Sequence, residues 1–129
     1  MTRSFWVDGR PTTKGSFRPV STPRGLRLIP QLAGSRPFAN AVAWTAKSEG
    51  VRPTDGPVRI ALEFYFAKPK KPKHAFPYRG DADKLSRNVL DALTGIAYVD
   101  DAQVVHLTAT KSFADDRGEG VWIQIGSAP

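Results

Sequence analysis

The sequence predicts one small domain that mixes β-strands with α-helices. Three observations carry that expectation. Residues 58–67 alternate strictly, with Ile60, Leu62, Phe64 and Phe66 on one side and Ala61, Glu63, Tyr65 and Ala67 on the other. That is the period of a strand with one buried face. Leu85, Val89, Leu90 and Leu93 then recur at the spacing of an amphipathic helix. Finally, a chain of 129 residues, 40% apolar with seven Phe and three Trp, is long and apolar enough for a single core.

The remaining elements follow in chain order. Ser4–Val7 is a short apolar run that reads as a first strand, closed by a turn at Asp8-Gly9. Residues 10–36 are rich in Pro, Gly, Ser, Thr and Arg and read as a long loop. Within it a short ribbon is expected near Phe17–Val20 and Leu26–Ile29. A helix is expected over Pro37–Ser48, capped by Ser35, with Phe38, Ala41, Val42 and Thr45 on its core face and Trp44 flanking it. Three prolines, Pro69, Pro72 and Pro77, forbid regular structure over residues 68–80. Gly95 suits the left-handed position that ends the second helix. Strands are expected over Gln103–Lys111 and around Val121, Ile123 and Ile125, with a turn at 115–118 between them.

Composition excludes several classes. There is no cysteine, so disulfides and thiolate metal sites are out, and with two histidines a zinc site is not expected. No apolar run approaches the roughly 20 residues that span a bilayer, and the N-terminus lacks the apolar core of a signal peptide. A cytoplasmic protein with no membrane partner is therefore expected. The net charge of +7 is unevenly placed: residues 1–79 hold 15 Lys/Arg against 4 Asp/Glu, whereas residues 80–129 hold 4 against 8. A basic half joined to an acidic stretch suits a polyanionic substrate presented to a metal.

The acidic stretch is GDADKLSRNVLDALTGIAYVDDAQVV, residues 80–105. It carries Asp81 and Asp83 before the second helix and Asp100–Asp101 before a strand. Crowded carboxylates repel unless a cation lies between them, and a hard divalent ion such as Mg²⁺ is the usual solution. Asp81 or Asp83 can instead be the helix cap, which accounts for one of the two. In an extended chain neighbouring side chains point to opposite faces, so one of Asp100 and Asp101 is expected to reach a metal. Arg87 lies one helical turn after Asp83, placed to neutralise a phosphate or steady a carboxylate. Asp91, one turn further, reads as a structural partner of Arg87. His106 reads as structural, and Glu63 as a solvated strand residue with a metal role as its alternative. Just ahead of Asp81, Lys68, Lys70, Lys71, Lys73 and Arg79 are interleaved with His74, Phe76 and Tyr78. A proline-stiffened basic loop with aromatic rings suits a nucleic-acid strand.

In detail the string GDADKLSRNVLDALTG, then YVDDAQVV, then Lys111 closely resembles the RusA family of Holliday junction resolvases. That family's pattern is approximately D-x-D-N-L-x-K, D-A-L-x-G and D-D-x-Q-V, with a basic residue after the next strand. Gly9, Pro11 and Lys14 match an earlier Gly-x-Pro-x-x-Lys-like segment. The resemblance implies a small α+β fold with a mixed β-sheet packed against helices, a homodimer, and Mg²⁺-dependent cutting of four-way DNA junctions in paired nicks. Mn²⁺ is the expected substitute metal. By the motif, Asp81, Asp83 and Asp101 are the metal carboxylates, with Asp100 a weaker candidate, and Arg87 falls at the family's functional lysine. DNA contacts are expected from Lys14, Arg18, Lys68, Lys70, Lys71, Lys73, Arg79, Lys84 and Lys111. Lys84 departs from the usual Asn and Arg87 from the usual Lys, and Arg keeps the charge without the compact ammonium. The rival reading is a non-catalytic branched-DNA-binding protein that keeps the fold.

Overall fold

A computed structural model describes residues 2–13, 17–22, 25–30 and 35–129, with side chains described outside 14–36. Strand β1 (Thr2–Asp8) is followed by a hairpin, β2 (Phe17–Thr22) and β3 (Gly25–Pro30), which forms its own two-stranded sheet. Helix α1 (Ser35–Ser48), β4 (Val58–Phe66), α2 (Ala82–Leu93), β5 (Val104–Phe113) and β6 (Gly120–Ser127) complete the chain. The main sheet has the order β1-β6-β4-β5. β6 is antiparallel to both β1 and β4, whereas β4 and β5 are parallel. A parallel pair needs a crossover, and α2 supplies it. The result is the expected α+β domain with a mixed sheet.

The alternation in β4 is realised in full: Val58, Ile60, Leu62, Phe64 and Phe66 are buried, and the residues between them are not. They meet Phe5 and Val7 of β1, Val121 and Ile123 of β6, and the apolar faces of both helices. On α1 the buried positions are Phe38, Val42 and Ala46. Ala46 takes the place expected for Thr45 because it continues the four-residue step from Phe38 and Val42. The helix begins at Ser35, two residues before the expected start, so Ser35 lies inside the first turn rather than ahead of it. Trp44 is 72% exposed and does not flank the core.

On α2, Leu85, Val89 and Leu93 are fully buried. The helix ends as expected: Gly95 adopts φ +86°, and its N–H donates to the Tyr98 carbonyl at 2.7 Å. Tyr98 is buried beneath the helix, where its hydroxyl donates to the Leu90 carbonyl at 2.6 Å. That burial pushes the phenol well above the usual tyrosine range. On the other face of the sheet Trp6 tilts against Tyr65 at 5.8 Å, and the Arg117 guanidinium lies 5.1 Å from the Trp6 ring. Among the described residues no helix is long and apolar enough to cross a membrane.

Candidate active site

Two acidic loops flank α2, one at each end. The first follows β4. Residues 67–80 contain no helix or strand, as the prolines require. Pro77 is buried and pins the loop, while Phe76 and Tyr78 remain exposed. His74 stacks on Tyr78 with ring centroids 4.2 Å apart and planes inclined by 13°. Glu119 accepts the Ala67 N–H at 3.0 Å and pairs with Arg10 at 3.5 Å, which fixes the start of the loop. At its far end Gly80 has φ +83°, and a Cβ there would come within 3.3 Å of Leu85. Both facts favour glycine. The Gly80 carbonyl accepts the Lys111 ammonium at 2.8 Å.

Asp81 occupies the cap position of α2 with extended backbone, yet its carboxylate makes no capping hydrogen bond. It pairs instead with Lys84 at 3.6 Å on the surface. Asp83 lies in the first turn and is exposed. Two carboxylates thus stand at the positive end of the helix dipole, and neither is consumed by the fold. The capping role that sequence leaves open for one of them is not used.

The second loop joins α2 to β5. Here the chain departs from the expected strand: residues 101–103 form a 3₁₀ turn, so Gln103 precedes β5 rather than opening it. Asp100 is its cap. One of its carboxylate oxygens accepts the Ala102 N–H at 2.9 Å, and the Gln103 side chain reciprocates by accepting the Asp100 N–H at 3.0 Å. A capping box rather than strand alternation thus distinguishes the two aspartates. Asp100 is engaged in the turn; Asp101 leaves its carboxylate exposed.

The two loops are far apart within one chain. Lys111, near the end of β5, holds Gly80, whereas Gln103 lies just before the start of β5. Seven strand steps from Val104 to Lys111 span about 23 Å, and the twelve residues of α2 span about 18 Å. Among the described residues no three acidic or histidine side chains lie close enough to enclose a metal. Asp81 and Asp83 stand at the start of α2, and Asp101 lies at the other end of the crossover.

A family profile described as endodeoxyribonuclease RusA matches residues 8–126, which includes both acidic loops and every strand of the main sheet in whole or part. The chain belongs to the RusA family. No curated protein matches it. Membership makes this RusA chain an endodeoxyribonuclease domain.

The basic residues of the RusA chain divide into two sets. Lys71, Lys73 and Arg79 line an open cleft of ≈ 420 Å³ together with Arg10, His74 and Tyr78. Lys70 is exposed on the same loop, and the Lys68 ammonium rests 5.8 Å from the Phe113 ring. Lys84 and Lys111, in contrast, are turned to Asp81 and to the Gly80 carbonyl. Lys14 and the side chain of Arg18 lie outside the described residues. Arg87 is exposed on α2, one turn after Asp83.

Three contributors lie outside the expected site residues. Arg10 joins the cleft from a distant segment. Asn88 is buried on α2 and donates to the Thr12 carbonyl at 2.9 Å, tying the N-terminal loop to the helix. Gln103 braces the second acidic loop. A polar residue on the buried side of an amphipathic helix was the available signal for Asn88.

Proposed function

We propose that this RusA chain is a Mg²⁺-dependent, structure-selective endonuclease that resolves four-way DNA junctions by paired nicks, in DNA recombination and repair, and that it acts as a homodimer. The observation that carries the reading is the pair Asp81 and Asp83, uncapped at the start of α2, directly after a basic and aromatic loop. Carboxylates that directly follow a phosphate-binding loop in the chain repel DNA unless a cation accompanies them. Their donor set, all carboxylate oxygen, fits a hard divalent ion.

The residues that would hold the ion are Asp81, Asp83 and Asp101. When bound, the ion supplies a Lewis acid and a water more readily deprotonated. The protein's own groups do the rest. Arg10, Lys71, Lys73 and Arg79 draw in the phosphate backbone. Phe76 and Tyr78 offer exposed rings for unpaired bases at the branch. Arg87, one turn beyond Asp83, presents its charge on the same side of the helix.

The distance between the two loops supports a dimer in which each site draws on both protomers. β5 is an outer strand of the sheet, and among the described residues nothing pairs with its free edge. Val99, Val105 and Leu107 around its start are 68%, 63% and 41% exposed. A long exposed edge is a natural seat for another strand. Antiparallel pairing of Val104–Phe113 with its copy puts the two-fold axis between Thr108 and Ala109. That register carries the start of one β5, with Asp101 just ahead of it, to the end of the other, where Lys111 holds Gly80 beside Asp81. Two equivalent sites related by a two-fold axis match the symmetry of a four-way junction.

Incubation of a labelled four-way junction and a linear duplex with and without Mg²⁺ tests the reading. Metal-dependent, paired cuts confined to the junction are expected. Asp83→Asn should bind the junction and not cut it. Salt-sensitive binding with no cleavage in any divalent metal would support the non-catalytic rival instead. Mixing Asp83→Asn with Asp101→Asn tests the shared site. A mixed dimer built as proposed has one intact site and recovers single-strand nicking, whereas a site contained in one chain recovers nothing.

A further inference from the structure

We infer that Gln103 is a positioning residue for Asp101, the brace that sets where this carboxylate stands; the inference rests on the metal-dependent reading above. An amide side chain has two acceptor lone pairs and two N–H donors. Gln103 uses all four. Its Oε1 accepts the N–H of Val99 at 2.8 Å and of Asp100 at 3.0 Å. Its Nε2 donates to the carbonyls of Thr54 at 2.6 Å and Gly56 at 3.0 Å. The orientation of the amide follows from these partners, since one end faces two donors and the other two acceptors.

The four bonds reinforce two segments that also meet through an isolated parallel bridge between Thr54 and Tyr98 and lead into the paired strands β4 and β5. Residues 54–56 precede β4, and residues 98–101 follow α2. One further main-chain bond, from the Thr54 N–H to the Ala97 carbonyl, links them at 3.3 Å. Asp101 has no ion pair or side-chain hydrogen bond among the described residues, so its position is inherited from its backbone. That backbone is bracketed by the Asp100 cap on one side and by Gln103 and β5 on the other. A carboxylate that must meet a metal held in part by another loop gains from such rigidity, because a small misplacement of a ligand weakens the site.

The chemistry of the amide sets what related side chains would lose at this position. Glu keeps the acceptor for Val99 and Asp100 but sets a second oxygen against two carbonyl oxygens. Asn has the right groups on a stem one methylene too short to span both segments. Leu fills the space and satisfies none of the four main-chain groups, which are then left to find water or each other.

The test compares wild type with Gln103→Leu and Gln103→Glu. Three quantities are read: the melting temperature, junction affinity in EDTA, and the Mg²⁺ concentration that half-saturates single-turnover junction cleavage. Manganese binding by calorimetry provides a readout independent of turnover. The expected result is an unchanged junction affinity and a weakening of metal dependence by about 10–100-fold, measured well below the melting temperature. An unchanged metal dependence, or a loss of cleavage that only follows the unfolded fraction, overturns the inference. If both variants unfold at the assay temperature, Asp100→Ala removes the other bracket and should shift the metal dependence in the same direction. Asp100→Asn, which keeps the capping oxygen, should restore it. If Asp100→Ala leaves metal dependence untouched, the bracket does not position Asp101. Wild-type cleavage of the junction in Mg²⁺ upholds the functional reading whatever the Gln103 variants do.

Discussion

The two acidic loops are built in opposite ways. At the start of α2 the fold takes no capping bond from the carboxylates: Asp81 sits at the cap position paired with Lys84 on the surface, and Lys111 holds the loop by its Gly80 carbonyl. Before β5 the fold takes one of the two: Asp100 closes the turn and Asp101 is left over. Paired aspartates in a sequence are therefore not equivalent, and the backbone decides the difference. An extended residue followed by a tight turn turns the first carboxylate back onto main-chain N–H groups. A residue followed by a helix whose first N–H groups face solvent is free to leave its carboxylate outward.

The sharpest way to break this comparison is within the second loop. Asp101→Asn should lower junction cleavage by ~10³-fold or more, since a metal site supplies several kcal/mol to the transition state. Asp100→Asn should stay within about threefold of wild type, because an amide oxygen still caps the turn. Equal losses in single-turnover assays would show that the capping geometry does not describe the working enzyme. The next largest effect concerns the basic residues. Lys111→Met, which releases the Gly80 carbonyl, should slow cleavage by roughly tenfold with little change in junction affinity. Lys71→Ala and Lys73→Ala should do the reverse, weakening binding and each lowering the salt slope of log K by about one. Mobility-shift titrations across salt concentrations, set beside cleavage rates, separate the two classes.

The smallest effect lies where α2 passes into the second loop. Tyr98→Phe should cost about 1 kcal/mol, the worth of one neutral hydrogen bond, measured by urea unfolding. The pH dependence follows from the raised pKa of the buried phenol. In the unfolded chain a tyrosine loses its proton near pH 10, whereas folded Tyr98 retains it. The folded state then binds more protons, so Tyr98 contributes full stability below about pH 10 and a declining share as pH rises beyond it. Tyr98→Phe should flatten that part of the alkaline stability curve.

Much of this architecture is legible in the sequence because it rests on local periodicity. Strict alternation placed β4 and its buried face, and the leucine and valine spacing placed α2 with its terminal glycine. Even the hairpin of β2 and β3 left a trace in the apolar runs of a basic loop. What stayed hidden depends on contacts between distant segments. The separation of Asp101 from Asp81 and Asp83 follows from a parallel crossover, and residue spacing along the chain does not express it. The turn at 101–103 was masked by the apolar residues after it, which carry a strand pattern up to the turn itself. Gln103 carries no charge to draw attention, and its role depends on two carbonyls that lie 47 and 49 positions away. Lys111 is expected at a DNA contact because it matches the basic residue that follows the next strand in the family pattern. Its bond to Gly80 depends on where β5 ends relative to α2.

One property of β5 bears on how the protein holds together at all. Of its ten residues none is fully buried, an unusual economy for a strand that anchors both acidic loops. A segment so thinly covered draws little hydrophobic stabilisation from its own chain. With the proposed pairing, that stabilisation comes from the second protomer, and mass action then links assembly to folding. The midpoint of thermal unfolding should climb as protein concentration is raised. Dilution should loosen first the region around β5, which hydrogen exchange would detect as early loss of protection there while β1, β4 and β6 remain closed.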